Sequence, residues 1–286
     1  MPIPLGDLVR GGLVPAVVAL VVFLAWRLPG RGGHAIRYAA AHAASAGFIV
    51  AYLLFDWAKL PPAEQWQWLP WLGLAAAAIG PAAAAGGTGW LDRVAVRLLL
   101  GAVAAWALVP SWPALAETRA IHLAAFALMI VVVCCALEGL PERFPGASFP
   151  GILCGCALAA AGVLALSHSL KFAQLAGAAA AALGGCAAAS LGRRDAPAFR
   201  GGTDVFAVLV GGLLYTGWLY SFSEVPVASY VLPVIAPAGL WICAAGPLAR
   251  RSPAANMAAR LTVVGIPLAG AIAWAVLAEP LDLGAG

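Results

Sequence analysis

Five residues of one apolar run, His42, Ser45, Ile49, Tyr52 and Asp56, fall within an arc of about 80° when wound at 3.6 residues per turn. Imidazole, hydroxyl, phenol and carboxylate strung along one helix face could relay protons or line a hydrated path, with His42 and Asp56 as titratable ends. The plainer reading leaves Asp56 at an interface, Tyr52 in an aromatic belt and His42 bonded to a neighbouring helix. A second face is carried by Gly212, Thr216, Tyr220 and Ser223, at i, i+4, i+8 and i+11, with Tyr215 adjacent and Glu224 just beyond. It could form half of a solute site, or it could serve hydrogen bonding between helices around a glycine contact. The path residues expected from the sequence are therefore His42, Ser45, Tyr52, Asp56, Thr216, Tyr220 and Ser223.

Thiols raise a different chemistry. Four of the six cysteines lie in VVVCCALEGLPERFPGASFPGILCGC, residues 131–156. Thiolates favour Cu(I) or zinc. On a helix, however, Cys154 and Cys156 point about 200° apart, and Cys134 and Cys135 about 100°. At most one or two of each pair could meet a common ion, and Cys135 with Cys154 is the pair considered. The alternative is cysteine as a small apolar packing residue, with the stretch as a helical hairpin. His42 and His122 are expected near opposite faces, His34 in a loop and His168 exposed, so no bis-His haem is expected. His-Glu-x-x-His, Gly-x-Ser-x-Gly and Walker patterns do not occur. Neither a cofactor nor enzymatic activity is predicted. Asp204, after Gly-Gly-Thr, reads as a helix N-cap or else an ion site. Glu138 and Glu142 read as solvated charges beside Arg143.

These side chains must be positioned by membrane helices. Of 286 residues, 63% are hydrophobic and only 10% charged, against about 25% charged in an average soluble domain. Mean hydropathy is +0.95. A chain this apolar needs lipid as its solvent, and no basic cluster interleaved with aromatics suggests nucleic acid. Runs of about 20 apolar residues can cross the hydrocarbon layer. Ten are predicted, near 12–30, 37–56, 67–86, 94–112, 119–138, 150–167, 171–191, 203–222, 226–248 and 259–279. Span seven, rich in Ala and Gly, reads as a close-packing helix in the middle of the bundle. The fold class expected is an all-α integral membrane protein: one polytopic domain over 1–286, with short loops and no soluble domain.

Lysine and arginine test the orientation, because they gather in cytoplasmic loops. Twelve sit in or beside odd-numbered loops, among them Arg37, Arg93, Arg97, Arg143, Arg200 and Arg260; Arg10, Lys59, Arg119 and Lys171 are the other four. This alternation predicts odd loops inside and both termini outside. All six cysteines then face the reducing side, where disulfides are not expected. Arginine outnumbers lysine fourteen to two beside abundant alanine, a bias that fits a bacterial inner membrane. Residues 1–30 read as a retained first helix, since the positive charges follow the apolar run.

Ten spans divide into two sets of five, roughly 1–140 and 150–286. An odd number per set would make the halves inverted, a common transporter plan. Arg119 to Glu138 and Arg260 to Glu279 share one spacing, at spans five and ten. In length and span count the chain resembles the drug/metabolite transporter superfamily, a likeness of architecture that rests on no motif; the N-terminus expected outside departs from that superfamily's usual one. The first functional expectation is a secondary transporter or permease for a small, weakly polar solute. The second is a non-catalytic scaffold or assembly subunit bound to a membrane-protein partner or to its own copies. A lipid-active enzyme ranks last, for want of clustered carboxylates or histidines at one interface.

Overall fold

The computed structural model describes residues 5–28, 35–55, 62–83, 89–192, 199–245 and 253–279; Asp56 lies outside them. The described residues form helices and no strand. The principal helices are α1 (Val14–Ala25), α2 (Ala39–Phe55), α3 (Leu69–Ala83), α4 (Trp90–Leu108), α5 (Arg119–Leu137), α6 (Ser148–Leu166), α7 (Leu170–Ala189), α8 (Gly202–Tyr220), α9 (Val227–Ala244) and α10 (Pro253–Ala278). A π turn, Val9–Leu13, leads into α1. Pro233 and Pro237 interrupt α9, which passes through a 3-10 turn at Ala236–Gly239, because each proline lacks the N–H that the helical ladder requires.

Eight of the described helical stretches are long and apolar enough to cross a membrane. Two fall short: α3 has 15 residues, and α4 contains Asp92, Arg93 and Arg97. The expected all-helical fold is observed, and eight crossings rather than ten follow from length and composition. Large apolar side chains cover the outside. On α4, Leu91, Leu98, Leu99 and Trp106 are exposed, while Arg97, Leu100, Gly101 and Ala104 are buried. An apolar exterior around a charged interior position is the pattern of a helix solvated by lipid.

The centre of the bundle is α8. Every residue from Gly202 to Leu214 is buried, and α2, α3, α4, α5, α6, α7 and α9 all pack on it. Span seven was expected there, but α7 pairs instead with α6, α1 and α2 at one flank. Small residues bring that flank close: a Cβ on Gly47 would lie 2.6 Å from the carbonyl of Pro15, and one on Gly185 would collide with the carbonyl of Ala16. The hairpin expected around residues 131–156 does not form as a packed pair. A short helix, Leu140–Arg143, carries the chain across the bundle end, so that α5 packs on α4 and α8, and α6 packs on α7, α9 and α10.

Helix ends separate into two groups. At one end Trp241 Nε1 donates to the carbonyl of Ala136 at 2.6 Å, and Arg200 pairs with Glu142. At the other end Tyr220 donates to Gln65 Oε1 at 3.0 Å, Ser221 to the carbonyl of Ser167 at 3.2 Å, and the Glu224 N–H to Glu279 at 3.0 Å. The first end gathers odd-numbered connections and the second gathers even-numbered ones. Both α3 and α4 join the two ends: Gln65 precedes α3 and Gly80 closes it against Asp204, while Trp112, beyond α4, meets Tyr220 with ring centroids 4.6 Å apart.

The close flank gives a stability test. Gly185→Ala forces a methyl into a backbone carbonyl and should lower stability by about 1–3 kcal/mol. A Cβ at Gly177 meets nothing within 4 Å, so Gly177→Ala should be neutral or stabilising by up to about 1 kcal/mol. Thermal unfolding in detergent micelles, compared between the two variants, checks the contrast.

Candidate functional site

Three helices frame a cavity of about 420 Å³, within the range typical of small-molecule sites. From α5 come Ile121, His122, Ala125 and Met129; from α8, Gly211, Leu214, Tyr215 and Trp218; from the first segment of α9, Val227, Tyr230 and Val231. The helical repeat explains the set, since residues 122, 125 and 129, and 211, 215 and 218, each lie on one helix face. Gly211 keeps the floor open, for a Cβ there would stand 3.0 Å from Met129 Cε. The cavity runs from the end that holds Ser221 and Gln65 to the middle of α8, close to the break in α9. Apart from His122, its lining is apolar or aromatic.

Aromatic packing fixes the polar group in that lining. Tyr215 lies 4.6 Å from Phe126 and 5.6 Å from Trp218 between ring centroids, and His122 lies 5.7 Å from Trp218. His122 Nδ1 and the Tyr215 hydroxyl are 2.9 Å apart, and the same hydroxyl donates to the His122 carbonyl at 3.1 Å.

The opposite end holds a cluster of charges. Arg97, eight residues into α4, is 1% exposed. Its Nε donates to Asp204 Oδ1 at 3.1 Å and its Nη1 to Glu138 Oε2 at 2.6 Å, and Arg93 also pairs with Glu138. Arg93 and Arg97 share a face of α4 at i, i+4. Two cations and two carboxylates make the cluster neutral, which an apolar interior requires. Gly80 of α3 makes room for it: a Cβ there would lie 2.7 Å from Asp204 Oδ2. Asp204 is therefore not the N-cap expected; Gly201 holds that position. Glu138 is an ion-pair partner of two arginines, and Glu142 pairs with Arg200 in place of the neighbour expected, Arg143.

The path residues are distributed over several environments. His42 packs in a three-ring cluster with Trp26, at 5.0 Å, and Tyr38, at 5.6 Å, which lie 5.9 Å from each other, and its buried Nδ1 makes no hydrogen bond. Ser45 is buried against Gly73, and Tyr52 is buried with its ring 5.8 Å from Trp66. Thr216 is fully buried; like Ser45, its hydroxyl makes no hydrogen bond. Tyr220 and Ser223 line a polar pocket of about 180 Å³ with Ser167, His168 and Glu279. Between α2, α7 and α8 the packing leaves a void of only about 10 Å³. Of the two thiols considered for a metal, Cys135 lies 3.9 Å from Arg97 Nη1, while Cys154 faces Gly184 of α7. Among the described residues no three of His, Cys, Asp or Glu group so as to hold an ion.

Sequence reasoning missed Arg97 and the pair His122–Tyr215. A lone arginine inside VRLLLGAVAAWAL carried a signal, since a charge within an apolar run is costly unless paired. His122 and Tyr215 stand 93 residues apart, and nothing local links them.

Removing Arg97 tests the charge cluster. Arg97→Leu leaves Asp204 buried without its cation, while Glu138 keeps Arg93, and should cost about 3–5 kcal/mol. The double variant Arg97→Leu, Asp204→Leu removes the unpaired charge, keeps the Arg93–Glu138 pair and should recover most of that loss, as read by thermal unfolding in micelles. Comparison with known protein families, with curated proteins and with solved structures gave no match.

Proposed function

We propose that this chain is a secondary transporter or permease for a small solute, and not an enzyme. The observation that carries the reading is the cavity of about 420 Å³ framed by α5, α8 and the proline-broken α9. Carriers place their solute sites near the bilayer midplane beside discontinuous helices, where irregular backbone lines a cavity. Buried polar atoms without hydrogen bonds add support. His42 Nδ1, Ser45 Oγ and Thr216 Oγ1 stand in packed helix seams, where an unmet hydrogen bond costs on the order of 1–3 kcal/mol. A second conformation that admits water along α2 and α8 would satisfy them. On this reading His42, Ser45, Tyr52, Asp56, Thr216, Tyr220 and Ser223 belong to a route that is closed here.

The topology proposed is ten crossings of a bacterial inner membrane, with both termini outside. The sorting of odd and even connections to opposite bundle ends supports it, as does the arginine bias. Counting α3 and α4 in or out leaves the sidedness of every other helix unchanged, because they form a consecutive pair. Two inverted halves would make α2 equivalent to α7 and α3 to α8, and both pairs are in contact. The packing of α6 on α9 and α10 has no counterpart in the first half, so any such symmetry is broken there.

A scaffold or assembly subunit, bound to a membrane partner or to its own copies, is the second reading. The tight packing between α2, α7 and α8 favours it. Uptake into proteoliposomes separates the two. With a panel of small neutral solutes, wild type should exceed empty vesicles for at least one, and Gly211→Trp, which fills the cavity floor, should return that flux to the empty-vesicle level. Flux equal to empty vesicles across the panel would remove the carrier reading.

A further inference from the structure

The hydrogen bonds of His122 fix what the cavity can recognise. Tyr215 has a single hydroxyl hydrogen. Its oxygen is 3.1 Å from the His122 carbonyl and 2.9 Å from His122 Nδ1. A carbonyl can only accept, so both bonds form together only when Tyr215 donates to the carbonyl and Nδ1–H donates to Tyr215. Nδ1 then carries the proton, and the ring in its neutral form presents the lone pair of Nε2 as an acceptor. No described residue donates to Nε2, and the ring lines the cavity.

The remaining lining carries no formal charge. Ile121, Met129, Leu214, Trp218 and Val231 offer apolar and aromatic contact, and Tyr230 already shares its hydroxyl with Ser223 at 3.4 Å. A charged ligand would lose its hydration without compensation. A ligand that offers only acceptors would leave Nε2 unmatched. Sites built around a buried hydrogen-bonding group reject analogues that lack the complementary group.

We infer that the cavity between α5, α8 and α9 binds an uncharged, largely aromatic solute bearing one hydroxyl or N–H group, which donates to Nε2 of His122. This rests on the reading of that cavity as the solute site, and it specifies the solute's chemical class.

Equilibrium binding to the full chain in lipid nanodiscs tests it, with empty nanodiscs as the baseline for partitioning. The probes are 2-naphthol and its methyl ether, 2-methoxynaphthalene, which keeps the rings and removes the donor. The naphthol should bind saturably and at least tenfold more tightly than the ether. His122→Phe should abolish the difference. Tyr215→Phe leaves the aromatic packing in place but releases the tautomer, and should narrow the difference; Ala125→Trp should fill the cavity and prevent binding of both probes. Equal affinity for the two probes, or no saturable binding above empty nanodiscs, would overturn the inference. Binding without uptake would leave it standing and remove the carrier reading, whereas uptake of other solutes without naphthol binding would do the reverse.

Discussion

One arginine constrains the whole bundle. Arg97 cannot be left bare in a lipid-solvated interior, so α4 must present it to carboxylates, and these come from the end of α5 and the start of α8. Three helices distant in sequence are thereby held at a common depth. The requirement reaches further through Gly80, which lets α3 approach the same carboxylate, and through Gly201, whose missing side chain leaves space for the Pro81 ring. Arg97 and Asp204 are buried while Arg93 and Glu138 reach the bundle surface, and the pairing fixes register: a slip of one residue in α4 would turn Arg97 away from both partners by about 100°.

The two ends of α8 have different chemistry. Its first turn is tied down by charge, and its last turns carry aromatic rings with a single imidazole beside them. Between them it is apolar all round, as a helix with neighbours on every side must be. The cavity accordingly lies where the neighbours stand apart, between α5 and the outer segment of α9. The divergence of α5 from α6 sets this geometry, because the short helix Leu140–Arg143 directs the chain to a different flank.

Much of the helical framework was legible in the sequence. Apolar runs of membrane length, punctuated by proline, glycine and charge, placed spans such as 119–138 and 203–222 within a few residues of α5 and α8. The same rule misread residues at the edges. By that rule Arg97 falls with a loop, because charge reads as punctuation, and Asp204 reads as a cap or else an ion site, because its local context suits one. Both errors concern a pairing across 107 residues, which no local pattern encodes. The face of Thr216 and Tyr220 was visible as a helical repeat. Tyr215, about a quarter turn from that face on the same helix, gains its interest from His122 alone, so only the packed bundle reveals it.

The glycine-mediated approach of α1, α2 and α7 bears on how the molecule deforms. Where backbones touch with no side chains between them, helices have no soft layer to slide upon, and that flank moves as a block. The wall formed by α9 differs: its first helix, Val227–Ile235, gives way at Ala236–Gly239 to a 3-10 turn before a second short helix, Leu240–Ala244. Tight backbone contact thus lies away from the cavity and the broken helix lies beside it, as a frame carries a hinged panel.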